Sequence, residues 1–334
     1  MAAWLGEQGS VTAAALAIDL GGTQLRAAMV SSAGSILSFA VEPTRALDGP
    51  EAIIAQIFSL LEEIVRQNPG QVPVGIGIAA PGPLDPKAGM VIAPPTLRGW
   101  HNVPLAKIIG QRFSAPVWLE NDANAAALGE WRFGAGRGVD SMVFVTVSTG
   151  IGGGVIADGR ILHGRRGLAA EIGHMTITHE GERCFCGAIG CFEAVASGTA
   201  LGRRASARTK PFDGSAMRAL SANADVSGRN VVDAARQGDA LAKQLLDDEA
   251  RWLGIGFTNL LHLYSPDMIV MGGGISHGFD LLQAGIASAM RERAMPAYRD
   301  VPVVTAQLGH HAGLVGAASL VFQNHIHSEE ASHG

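Results

Sequence analysis

The chain has 334 residues, of which 47% are apolar and 16% charged, with 44 glycines and a net charge of −5. That length accommodates two domains, each with its own core, and the composition excludes a disordered chain. A negative balance with no basic block lacks the electrostatic footprint of a nucleic-acid binder, although a small anionic substrate stays compatible, because local fields can oppose the total.

The first ten residues, M-A-A-W-L-G-E-Q-G-S, place no Lys or Arg ahead of their apolar residues, which argues against a secretory leader. No apolar run reaches the length that spans a bilayer, so the expectation is a soluble, cytoplasmic protein. Three cysteines crowded between 184 and 191 fit a reducing compartment, since a disulfide framework would leave one thiol over.

Residues 14–30 form two apolar segments joined by D-L-G-G-T, a strand-to-strand turn with glycines where a tight connection needs positive φ. A P-loop or a Rossmann glycine loop passes from a strand into a helix instead, and neither motif occurs in this chain. Apolar residues at helical spacing predict a helix over 51–66, and 74–85 reads as a strand that runs into a Pro-Gly turn. At 117–124, V-W-L-E-N-D-A-N, an apolar strand stops and an alanine-rich helix starts at Asn121-Asp122. Asp122 is there either the helix cap or a functional carboxylate.

Residues 142–157, M-V-F-V-T-V-S-T-G-I-G-G-G-V-I-A, repeat the strand, glycine turn, strand pattern, which predicts a duplicated architecture. Two such turns suit one polyphosphate, because consecutive backbone N–H groups make anion-binding nests. A third glycine run, Gly272 to Gly274, follows a buried-type strand and precedes an amphipathic stretch over 279–293. Residues 230–264 carry two helical patterns, the second ending at Ser265-Pro266, where proline stops it. The polar, poorly patterned residues 207–229 predict a mobile connection or surface insertion. The tail from Asn324, with His325, His327 and His333, reads as a solvated end.

All three cysteines lie in C-x-C-x4-C, with His174 and His179 just upstream. Three thiols beside a histidine suit tetrahedral Cys3His zinc, a closed and structural arrangement, and spacing leaves the choice between the two histidines open. Glu171 and Glu193 flank this knot, either as solvated loop residues or held in place by it.

Taken together, D-L-G-G-T, E-N-D-A-N, V-S-T-G-I-G-G-G, E-I-G-H and C-x-C-G-x-x-G-C-x-E resemble the ROK family, the bacterial sugar kinases and related repressors of the actin-like, sugar-kinase and heat-shock ATPase superfamily. The resemblance runs from Leu16 to about Phe322. It implies an α/β, actin-like (ribonuclease H-like) duplicated fold with two domains about a cleft, 1–122 and 123–334, the final stretch 312–322 packing back on the first domain.

Carried over residue by residue, it makes Asp122 the base that takes the proton from the C6 hydroxyl of a hexose. Gly82, Thr96, Asn121, Glu171, His174 and Glu193 would surround the sugar. Asp19 would orient Mg2+; Gly21, Gly22, Thr23, Thr149, Gly150 and Gly152 would line the phosphates of ATP, and Gly272, Gly273 and Gly274 the adenosine. His174, Cys184, Cys186 and Cys191 would hold structural zinc, and His179 becomes an ordinary loop residue.

Two positions depart from the family pattern. Thr96 stands where many glucose-specific members carry an asparagine that contacts the sugar, and Ser148 opens the second phosphate loop in place of a frequent glycine. The resemblance therefore implies an ATP-dependent hexose kinase, glucokinase-like, with an N-acylhexosamine kinase, N-acetylmannosamine first, as the alternative. A sugar-responsive repressor is the reading from another class; only eighteen residues precede Asp19, too few for a winged helix-turn-helix. Homodimerisation is also what the family implies.

Overall fold

The computed structural model describes residues 13–165, 167–210 and 214–332, with the side chains beyond 325 outside the description. The N-terminal residues 1–12, read above as arguing against a secretory leader, the His327 side chain and His333 therefore lie outside the described residues. The chain divides into two compact units, 1–125 with 313–334, and 126–312.

In the first unit β1 (Ala14–Leu20), β2 (Gln24–Ser31) and β3 (Ile36–Pro43) run antiparallel. α1 (Pro50–Gln67) leads to β4 (Pro73–Ala80), a small hairpin β5 (Leu84–Asp85) and β6 (Met90–Val91), α2 (Leu105–Phe113), β7 (Val117–Asn121) and the first turn of α3 (Asp122–Phe133), whose remainder belongs to the second unit. The sheet order is β3-β2-β1-β4-β7, with β4 parallel to both neighbours. In the second unit β8 (Met142–Val147), β9 (Ile151–Ala157) and β10 (Arg160–Ile161) are antiparallel. After them come α4 (Phe192–Ala196), α5 (Gly198–Arg208), α6 (Ala216–Leu220), α7 (Gly228–Arg236), α8 (Ala240–Tyr264), β11 (Met268–Gly272), α9 (Phe279–Arg293) and β12 (Val303–Thr305). That sheet reads β10-β9-β8-β11-β12, the same order of third, second, first, fourth, fifth strand. The duplication expected from the two glycine turns is present strand for strand.

β1 is buried along its whole length, as a central strand covered on both faces must be. Its side chains alternate accordingly: Leu16, Ile18 and Leu20 enter one core cluster with α1 and α2, whereas Ala15 and Ala17 enter another with Leu314, Ala317, Ala318 and Val321. The latter four belong to the last helix, α10 (Ala312–Ser332). The face it covers is built from small residues because the helix lies close. A Cβ on Gly77 would stand 1.9 Å from the Ala317 carbonyl oxygen, and one on Gly316 would stand 1.6 Å from that of Ala125.

The segment 207–229 carries a polar centre of its own. Its described part is ordered around Arg218, only 6% exposed, whose guanidinium donates to Thr209 Oγ1 and to the carbonyls of Ser206, Thr209 and Ala224 at 2.8–3.1 Å. A buried arginine that finds an acceptor for each arm of its fork builds structure from polar residues, so apolar periodicity gives no warning of it. Among the described residues no helix is long and apolar enough to cross a membrane.

Candidate active site

The first glycine turn, 21–23, closes with the Gly21 N–H donating to the Gln24 carbonyl at 2.9 Å, and the Thr44 hydroxyl holds the Gly21 carbonyl at 2.7 Å. Asp19, at the end of β1, pairs across the strands with Arg26 at 2.8 Å. Burial raises its carboxyl above the usual carboxylate range, and the Arg26 guanidinium opposes that shift. Thr96 comes over this turn: a Cβ on Gly22 would lie 2.9 Å from the Thr96 Cβ. Gly22 is thus required by close approach, with Thr96 seated against the first glycine turn itself.

At the β7–α3 corner two neighbouring side chains meet the first turn of the helix. Asn121 Oδ1 accepts from the backbone N–H of Ala123 at 3.0 Å and of Asn124 at 3.2 Å, so Asn121 caps the helix. Asp122 occupies the first helical position, exposed, its Oδ1 accepting from the Ala123 N–H at 2.8 Å. With its oxygen engaged, Asn121 offers a ligand its Nδ2, which lies 3.4 Å from where a Cβ on Gly82 would be. Beneath the corner Glu120, buried, accepts from Asn121 N and Asn124 Nδ2 at 2.9 and 3.0 Å. These two supports went unrecognised in the sequence, where only E-x-x-x-N spacing hinted at them.

In the second unit the turn 148–150 is pinned at both ends. The Ser148 carbonyl accepts from Gly198 N at 2.7 Å, and Ile151 N donates to Glu193 Oε2 at 2.9 Å. Among the described residues the Thr149 and Gly150 N–H groups between them carry no partner. Gly152 pairs with Thr146 inside the β8–β9 ladder.

Ser148 and Thr149 open onto a cavity of about 880 Å³ whose walls include Gly198, Arg203, Ser227, Gly228, Arg236 and Gly274. Two helix starts meet there. Ser197 caps α5 and Ser227 caps α7, the glycines that follow them pack together, and a Cβ on Gly228 would lie 2.9 Å from the Gly198 carbonyl oxygen. These walls were missed in the sequence, although the repeated Ser-Gly at two helix starts is a readable signal.

The third glycine run divides its work. Gly274 lines the cavity. A Cβ on Gly272 would meet the Phe144 ring at 3.0 Å and one on Gly273, at φ 84°, the Val147 carbonyl oxygen at 2.4 Å. Those two are demanded by packing inside the unit, and Gly274 is the one of the three that lines the cavity.

Glu171, His174 and Glu193 belong to the same unit, and His174 faces the cysteines. His174 Nδ1 lies 3.6 Å from Cys184 Sγ, Cys186 Sγ lies 3.6 Å from Cys191 Sγ, and all four ligand atoms fall within 4.8 Å of one another. Tetrahedral bonds of about 2.3 Å to sulfur and 2.05 Å to nitrogen give edges of about 3.6–3.8 Å, so the donor set fits zinc. The thiols are free cysteines, and without a cation burial and the neighbouring Cys186 and Cys184 sulfurs push the Cys191 thiol up to about 12. A divalent ion offsets that crowding of charge. His179 is absent from the cluster.

The duplicated sheets and their paired glycine turns define an actin-like ATPase fold. Residues 15–324 match the ROK family, and the chain belongs to that family. It is 37% identical to a glucokinase of Thermotoga maritima, over 92% of this chain and 96% of that one. A solved ROK family glucokinase from Streptomyces griseus, in complex with glucose and AMPPNP, superposes with a TM-score of 0.79 at 37% identity, covering 93% of this chain and 99% of that one. A xylose repressor of Caldicellulosiruptor bescii is 30% identical over 92% of this chain and 78% of its own length.

Proposed function

We propose that the protein is an ATP-dependent, glucokinase-like sugar kinase of the cytoplasm that transfers the γ-phosphate of MgATP to the C6 hydroxyl of a hexose, with glucose as the leading substrate. The observation that carries this is the division of labour at the β7–α3 corner. Asn121 Oδ1 accepts both capping bonds, and Asp122 presents an exposed carboxylate at the first helical position, where it would take a substrate proton. Identity of 37% to glucokinases, against 30% to the xylose repressor, supports an enzyme over a regulator.

In this reading Asp122 accepts the proton of the attacking hydroxyl, and Asn121 Nδ2, the Gly82 backbone, Glu171, His174 and Glu193 orient the sugar. The unpartnered Thr149 and Gly150 N–H groups and the turn of Gly21, Gly22 and Thr23 bind phosphate. Asp19 would hold Mg2+ through water, and that ion would neutralise charge on the transferring group. Positioning and charge neutralisation carry most of the rate in such a transfer. The cavity beside Ser148 and Gly274 suits adenosine in size. Zinc at His174, Cys184, Cys186 and Cys191 would fix the loop that bears Glu171 and Glu193. A homodimer belongs to the same reading, and light scattering on the purified protein tests it.

Thr96 supports the second reading, an N-acylhexosamine kinase with N-acetylmannosamine first, because a threonine there lacks the amide that reads the sugar in many glucose-specific members. ADP release with MgATP across glucose, mannose, fructose, allose, N-acetylglucosamine and N-acetylmannosamine separates the two. Glucose leading in kcat/KM by a hundredfold or more supports the first reading, and N-acetylmannosamine leading overturns it in favour of the second.

A further inference from the structure

Glu193 lies two residues past Cys191, on a short helix whose place is fixed from several sides. The Phe192 ring is fully buried, edge-on to Phe257 at 6.2 Å and 88°, and so close to α8 that a Cβ on Gly256 would come within 2.4 Å of it. The Phe192 N–H donates to the Met175 carbonyl at 2.9 Å. From this anchored base the Glu193 side chain enters a slot made by two glycines. On one side a Cβ on Gly150 would stand 2.2 Å from Glu193 Oε2. On the other, one on Gly173 would stand 3.5 Å from the Glu193 Cβ and 2.0 Å from the Ile151 carbonyl oxygen.

We propose that Glu193 is a positioning residue for the second phosphate loop: by holding the Ile151 N–H it aims the Thr149 and Gly150 N–H groups at the nucleotide phosphates, whether or not sugar is bound. The inference rests on the kinase reading and deepens it. Two fixed points frame the loop, Gly198 N on the Ser148 carbonyl and Glu193 on Ile151 N, and one bond inside it, from Ser148 N–H to the Gly150 carbonyl at 2.9 Å, closes the turn between them. Releasing the Glu193 end leaves that single internal bond to hold the nest, and ordering it again on binding costs affinity.

Charge gives the proposal a distinctive signature. A carboxylate behind an anion-binding turn opposes phosphate, so an electrostatic role alone predicts tighter nucleotide binding whenever the charge is removed. The positioning role predicts otherwise. Glu193→Gln keeps an oxygen acceptor for Ile151 N, whereas Glu193→Ala removes it and Glu193→Asp shortens the reach by one bond, about 1.5 Å.

The test is calorimetric titration of MgADP into the full-length, zinc-loaded protein with no sugar present, with zinc content measured for each variant. Glu193→Ala and Glu193→Asp are expected to weaken MgADP about tenfold, the size of one charge-assisted hydrogen bond, while Glu193→Gln stays within twofold of the unmodified protein or binds tighter. Hydrogen exchange at the Ile151 amide should rise in the first two and not in the third. Equal MgADP affinity in all four proteins, or equal changes in Gln and Asp variants, overturns the proposal while leaving the kinase reading intact. An unmodified protein that binds no MgADP overturns both. Should the Ala variant fail to fold, the Asp and Gln pair decides the question.

Discussion

Replacing Asp122 by Asn and, separately, Asn121 by Ala pulls apart two roles that adjacent residues share. Asp122→Asn keeps the side-chain oxygen that accepts from Ala123 N at 2.8 Å, and it leaves the Asn121 cap untouched. What it loses in stability is the interaction of one exposed charge with a helix N-terminus, about 0.3–1 kcal/mol, or a melting shift of no more than about 3 °C. The same change removes the base, so kcat is expected to fall 10²–10⁴-fold, about 3–5 kcal/mol. Asn121→Ala strips both capping bonds and should cost about 1 kcal/mol of stability. Differential scanning fluorimetry beside a coupled ADP assay reads both quantities on the same samples. An Asp122→Asn protein that turns over within threefold of the unmodified one would refute the assignment of the base.

Three further outcomes are expected. Cys186→Ser should lower zinc to well below one equivalent by plasma emission and raise proteolysis within 171–193, and full metal retention would remove Cys186 from the ligand set. Thr96→Asn should raise the ratio of kcat/KM for glucose over N-acetylmannosamine, because an amide is restored beside Gly22, and an unchanged ratio would mean that the position does not read the sugar.

The third concerns Glu249, fully buried on α8 and paired with Arg204. Burial pushes its carboxyl up from 4.5 to about 8, against the pull of Arg204. An acid whose pKa is raised by folding stabilises the fold fully below its unfolded pKa, and that contribution is lost as pH rises through the folded one. Stability should therefore fall between about pH 4.5 and 8, by at most about 1.4 kcal/mol per pH unit from this group. Glu249→Gln should flatten that slope in urea titrations at pH 5.5 and 8, and an identical slope in the variant would discard the assignment.

How much of this was legible beforehand follows from the range over which each feature acts. The turns at 21–23 and 148–150 and the amphipathic α9 were readable in place, because alternation, glycine and helical spacing are local signals, but Gly21 and Gly22 do not take the positive φ expected of them, and Gly22 answers instead to the close approach of Thr96. The cysteine knot was readable from spacing, and choosing His174 over His179 needed either the family pattern or the three-dimensional cluster. Asn and Asp cap helices equally well, so no pattern could assign the two capping bonds to Asn121. The order around Arg218 was hidden, since its acceptors are backbone carbonyls that any residue carries. The same holds for Gly272 and Gly273, whose need for a missing side chain comes from Phe144 and Val147, more than a hundred residues away.

The most direct test of the central claim is product analysis by ³¹P and ¹H–³¹P correlation spectroscopy after incubating the protein with glucose and MgATP. The account predicts one equivalent of ADP for each equivalent of a sugar phosphomonoester coupled to the two C6 protons, and none with Asp122→Asn. ADP formed with only inorganic phosphate, or a phosphate coupled to the anomeric proton, would contradict it.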